Sequence, residues 1–189
     1  MKVIAASEIH GSAELDDKAL KAALSQYLAS PPRRIDRLIF QALLGAALLK
    51  EQVRSDCGLY LASRHPARPT MGALLDAVCV QQRQPKPFEF VNSVSNAAGF
   101  HVAQQLGLEG PNLFVGAGPR VWPQLQRLAA LDLADGLVSQ ALLVAVEDLG
   151  DFRVQAVLME PSSCHVLAHG FDELTIGSDV CHLRLDVPT

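Results

Sequence analysis

Several things are missing from this sequence, and each omission removes a class of function. There is no excess of basic charge. The 189 residues carry 16 Lys and Arg against 20 Asp and Glu, a net charge of −4, where nucleic-acid and anionic-membrane binders show a basic patch. Arg33, Arg34 and Arg37 are the sole basic cluster, and they read as a solvated helix start. No apolar run reaches the roughly 18–20 residues that a bilayer-spanning helix needs. Residues 1–6 are apolar but too short for a signal peptide, and Glu8 and His10 follow at once. The expected location is therefore cytoplasmic. Cys57, Cys79, Cys164 and Cys181 form no C-x-x-C pair, which favours reduced thiols over disulfides or a zinc site. Gly116-Ala117-Gly118 does not complete a dinucleotide-binding G-x-G-x-x-G. No repeat, low-complexity tract or linker divides the chain, so residues 1–189 are expected to form a single domain.

What is present is a hydrophobic fraction of 49%, enough for a sizeable core, in segments that alternate between helix and strand. Residues 2–6 read as a first strand. Asp16 or Asp17 can cap a helix carrying Leu20, Ala23, Leu24, Tyr27 and Leu28 at helical spacing, which Pro31-Pro32 ends. Ile35, Leu38, Ile39, Ala42, Leu43 and Ala46 mark a second, largely buried helix. Residues 57–63 have strand length. Thr70 can cap a short helix with Leu74, Leu75 and Val78, and residues 81–87 form a proline-punctuated loop.

Asn92, Ser93 and Ser95 are capping types ahead of Ala97, Ala98, Phe100 and Val102, and Gly107 stands where a helix ends. Gly110-Pro111 signals a turn into the short strand 112–116. A further helix runs from Pro119 to about residue 133. Residues 137–146, almost wholly apolar, suit a strand buried on both faces. Residues 152–159 return as another strand, 165–168 suggest a short one, and 181–187 alternate as a last one. Strands alternating with helices indicate an α/β layer fold with a mixed sheet of about five strands and helices on both faces.

Chemistry is sparse. His165 and His169 stand four apart in a segment that reads as extended, with no carboxylate at a matching spacing, so no metal or cofactor site is expected. Cys164-His165 and Cys181-His182 are adjacent pairs, whose side chains point to opposite faces of a strand and cannot form a dyad. Ser95 or Cys57 as a nucleophile would need a base elsewhere. His101 reads as a surface or interface residue, and Trp122 as a packing residue. Arg120, Gln124, Gln126 and Arg127 on the helix after Pro119 would be costly to bury unpaired, so one face of that helix is expected to meet solvent or a partner.

The run Asn92-Ser93-Val94-Ser95-Asn96-Ala97-Ala98, followed by Gly107-Leu108-Glu109-Gly110-Pro111-Asn112, resembles the β-ketoacyl synthases of the thiolase-like superfamily. Three further segments extend the resemblance in the family's order over residues 33–170. They are the Arg33-Arg34-Ile35-Asp36-Arg37 helix start, the strand 57–63, and the strand pair whose first member ends at Glu147. The last strand has no counterpart in it. The resemblance implies half of a thiolase-like fold, because ketosynthases contain two similar halves. In the family, the strand after the glycine-proline turn delivers a cysteine within Thr-Ala-Cys-Ser at the start of a central helix buried between the halves. Here Ala117, Gly118 and Pro119 fill those positions, so Pro119 holds the nucleophile's place. The histidines and lysine of the second half have no equivalent.

The resemblance thus implies a non-catalytic subunit, similar to a chain-length factor, in a polyketide, aryl polyene or fatty-acid-type pathway. Its partners would be a full-length ketosynthase and an acyl carrier protein, in a dimer that is hetero- rather than homomeric. By the same comparison Asn112, Leu113, Phe114, Val115 and Gly116 would form the dimer interface. Met71, Leu74, Leu75, Val78 and Phe100 would line an acyl tunnel. The alternatives are a stand-alone homodimeric protein that binds acyl groups or acyl carrier protein, and an enzyme using Ser95 or Cys57.

Overall fold

The computed structural model describes residues 1–163 and 167–187. Six strands form one mixed sheet: β1 (Lys2–Gly11), β2 (Gly58–Ser63), β3 (Asn112–Gly116), β4 (Ala141–Asp148), β5 (Phe152–Glu160) and β6 (Val180–Leu185). Their order is β3-β2-β4-β5-β1-β6. β5 runs antiparallel to both β4 and β1, while β2 is parallel to β3 and β4, and β6 is parallel to β1. The sheet therefore has one strand more than the five expected, because 181–187 adds to the edge beside β1.

Period-two alternation divides the core between the two faces. Leu59, Leu61, Leu142, Val144, Val154 and Ala156 point to one side, where they meet α1 (Asp17–Leu24), α2 (Arg37–Ala47) and α5 (Ala97–Leu106). Tyr60, Ala62, Leu143, Ala145, Val157 and Met159 point to the other, beneath α6 (Val121–Ala134). The unbroken apolar run in β4 is the sequence trace of a strand covered twice.

Capping fixes the helix starts on the first side. The Asp16 carboxylate accepts from the Ala19 amide at 2.7 Å, and Asp36 accepts from Leu38 at 2.8 Å. Thr70 does not cap. It lies inside α3 (Arg68–Leu75), and its hydroxyl donates to Asp36 instead, tying α3 to the start of α2.

β1 extends to Gly11, well past residue 6. Ser7 and Glu8, beyond the expected strand 2–6, are both buried and bonded across the fold. Ser7 donates to the Gly45 carbonyl at 2.8 Å, and Glu8 accepts from Arg153 and Gln155, each at 2.7 Å. Residues 88–93 are not a turn. They belong to α4 (Pro87–Ser93), in which Asn92 donates to the Arg34 carbonyl and Ser93 to that of Phe90, both at 2.7 Å. Asn96 occupies the cap position of α5 without a side-chain bond. The strand suggested at 165–168 falls largely outside the described residues, and so does His165 of the pair with His169. Among the described residues no helix is long and apolar enough to cross a membrane.

Candidate partner-binding face

β3 stands at the edge of the sheet, joined to β2 on one side only. Its inner side is fully used. The Pro111 carbonyl accepts from Leu59 at 2.7 Å, and the Ala117 amide donates to Ser63 at 2.9 Å. Alternation along a parallel ladder then turns the backbone groups of Leu113 and Val115 toward β2. Those of Asn112, Phe114 and Gly116 face outward, where they are open to a further strand.

Two glycines set this edge. A Cβ on Gly110 would meet the Cys57 carbonyl oxygen at 2.5 Å, so only glycine lets the turn into β3 pass that close to the start of β2. A Cβ on Gly99 would collide with the Asn112 side-chain oxygen, so glycine lets α5 lie directly against β3.

The surface beside the edge is apolar. Of the 17 large hydrophobic side chains exposed among the described residues, ten lie on α3, the π-helical turn Asp76–Val80, α4 and its following residue, α5 and β3. This concentration is a mark of an interaction surface, since scattered single residues would need no such account. The elements adjoin in sequence, α3 against α4, α4 against α5, and α5 against β3. The residues expected to line a tunnel fall here: Met71, Leu75, Val78 and Phe100 are exposed, and Leu74 is half-buried. On the strand, Asn112, Leu113 and Gly116 are exposed, with Phe114 and Val115 half-buried.

Val80, Phe88, Phe90, Val91 and Val94 enlarge the patch and were not anticipated. Their signal in the sequence was an apolar cluster within a segment whose prolines and capping residues read as turn. Beside Phe100, at a ring separation of 5.3 Å, the Nδ1 atom of His101 is buried without a hydrogen-bond partner. Burial holds the pKa of that imidazole below its ordinary value.

Pro119, expected by resemblance at the nucleophile's place, is exposed. Pro119 lies between the end of β3 and Arg120, the cap position of α6, so the helix starts two residues later than expected. Cys57 is no substitute: its thiol is fully buried, and burial pushes its pKa up to about 12. Ser95 is exposed in the turn between α4 and α5, with no base bonded to it among the described residues. A cleft of about 400 Å³ opens at the ends of β2 and β4. Arg37 and Asp148, which line it, are spent on each other at 3.3 Å. The open edge and the exposed apolar side chains suit protein association.

No protein-family model matches the sequence, and no curated protein matches it. Solved structures match in fold. The ishigamide ketosynthase/chain length factor aligns with a TM-score of 0.63 at 18% identity, over 75% of this chain and 48% of that one. The fold is thiolase-like, of the ketosynthase type. The complex of a ketosynthase with its chain length factor from Xenorhabdus doucetiae aligns at 0.61 and 15% identity, over 93% of this chain and 88% of that one. A type II polyketide synthase acyl-carrier protein in complex with its ketosynthase aligns at 0.52 and 12% identity. This thiolase-like chain thus spans about half of the first matched chain and most of the second.

Proposed function

We propose that this chain is a non-catalytic, chain-length-factor-like subunit that pairs with a full-length β-ketoacyl synthase. The observation that carries the reading is the unpaired β3 edge beside a concentration of exposed apolar side chains on α3, α4 and α5. A strand of the ketosynthase adds along Asn112–Gly116, with main-chain hydrogen bonds fixing register and the flanking apolar side chains supplying affinity. Met71, Leu74, Leu75, Val78 and Phe100 then lie at the joint, where they line the passage that receives the growing acyl chain. Pro119 leaves the nucleophile's place in this subunit without a thiol, so condensation takes place in the partner. The acyl carrier protein delivers to that complex, in the cytoplasm, in a polyketide, aryl polyene or fatty-acid-type pathway. Residues 1–189 act as one domain.

The test is affinity purification from the native host, followed by intact-mass measurement of the assembly. A stoichiometric ketosynthase supports the reading. A homodimer free of ketosynthase refutes it, and favours a stand-alone protein that binds acyl groups or acyl carrier protein through a self-paired β3 edge.

A further inference from the structure

The opposite side of the sheet is closed from within. α6 covers part of it, and residues 168–180 cover the part beside α6. Three kinds of contact hold the segment there. The first is a two-point amide clamp: buried Gln126 donates to the Ala168 carbonyl at 2.8 Å and accepts from the Ala168 amide at 3.0 Å. The second is a ring pair. Trp122 and Phe171, both buried, lie 5.6 Å apart, with Leu174 and Val180 packed on the same cluster. The third is the strand β6 itself, which pairs with β1 over Val180–Leu185. At the rim, His182 lies 3.4 Å from Glu8, and Asp172 lies 3.9 Å from Arg153.

The outward surface of α6 is more polar than the face around β3, with Leu131 its one large exposed apolar side chain among the described residues. Arg120, Gln124 and Arg127 are exposed there, and their side chains have no hydrogen-bond or ion-pair partner among the described residues. Covering them with a partner that leaves them unpaired would cost several kcal/mol in lost hydration. Gln126, expected among these solvent-facing residues, is instead the one turned inward and satisfied.

We infer that residues 168–180, anchored by β6 at the sheet edge, are an intramolecular cover that reserves the α6 side of the sheet for this chain, so that a protein partner engages it from the β3 side alone. The cover is a property of the isolated chain, and the restriction on partners rests on the ketosynthase reading. The experiment keeps the two apart by using Trp122, the single tryptophan.

On the isolated chain, Phe171→Ala raises acrylamide quenching of Trp122 about threefold while the far-UV circular dichroism stays native, as expected when a close-packed contact is removed. Hydrogen exchange on the unmodified protein supplies a check that needs no variant, with the amides of Ala168 and Thr175 exchanging slowly. Unchanged quenching in a folded variant, or unprotected exchange across 167–180, overturns the cover. The chain is then labelled with 5-fluorotryptophan and mixed with the unlabelled ketosynthase. A complex that leaves the 19F shift unmoved supports one-sided engagement. A shift toward that of the Phe171→Ala variant overturns it, because the partner has displaced the segment. If no complex forms, the proposed function fails, and the first two measurements still decide the cover.

Discussion

Truncating Phe100 to alanine separates the proposed interface from the rest of the surface. The side chain is 59% exposed. An aromatic of this kind presents roughly 200 Å², so about 120 Å² of it is free to be covered by a partner. At about 25 cal/mol per Å² that is about 3 kcal/mol. Alanine retains the Cβ, so the loss is about 2 to 3 kcal/mol, or roughly 30- to 150-fold in Kd. The ring is not part of the core, so the stability of the free chain should change by no more than about 0.5 kcal/mol. Leu131→Ala is the matched control: its side chain is 62% exposed, but on α6. Calorimetric titration of each variant into the ketosynthase reads the difference. The reasoning fails if Phe100→Ala binds within about threefold of the parent, or if Leu131→Ala weakens binding as much.

Three further outcomes are expected. Gly116→Pro removes one outward amide from β3 at a position where a side chain meets open space. It should weaken association by about 1 kcal/mol, roughly fivefold, in the same titration, with native circular dichroism. Gln41 is fully buried in α2 with neither amide atom bonded among the described residues, so Gln41→Met should raise the urea midpoint by the equivalent of about 1 kcal/mol, and a lowered midpoint refutes this. Burial alone would raise the Glu8 carboxyl, but hydrogen bonds from Gln155 and Arg153, with the charges of Arg153 and His10, outweigh it and hold the pKa below the ordinary 4.5. The ionised form therefore stabilises the fold above the unfolded-state value, and that contribution is lost as pH falls through the lowered folded value. Urea midpoints taken downward from about pH 5 should fall more steeply for the parent than for Glu8→Gln.

Local signals were legible in the sequence wherever they agreed with the tertiary structure. Asp16 and Asp36 cap the helices they precede, Gly107 adopts the left-handed conformation at φ 68° that ends α5, and Gly110-Pro111 leads into β3. The doubly apolar β4 was recognisable because both of its faces are covered. The errors have one physical origin, which is side chains whose partners are far away along the chain. Ser7 and Glu8 fell outside the expected strand 2–6 because Gly45, Arg153 and Gln155 cannot be seen from positions 7 and 8. Asn92 and Ser93 looked like caps because capping is the local use of such residues, and here Asn92 is spent on Arg34. Gln126 looked like a surface residue for want of a visible Ala168. Of the candidate site, the strand after Gly110-Pro111 was legible through motif order. The apolar side of α4 was hidden because its helix was not recognised.

The position of β1 bears on how the chain reaches this structure. β1, the first strand of the sheet in chain order, pairs with β5 and β6, the last two, with Lys2 opposite Glu160 and Gly11 opposite Leu185. Until those strands have been synthesised β1 has no ladder to join, and its apolar side chains wait in the nascent chain. The helices α1 and α2 can form early, but the sheet that orders them cannot close. Pairings this distant slow folding and prolong the exposure of sticky surface, so newly made chain is at greatest risk of aggregation just before β5 and β6 emerge. A chaperone bound during synthesis would shield β1 through that interval.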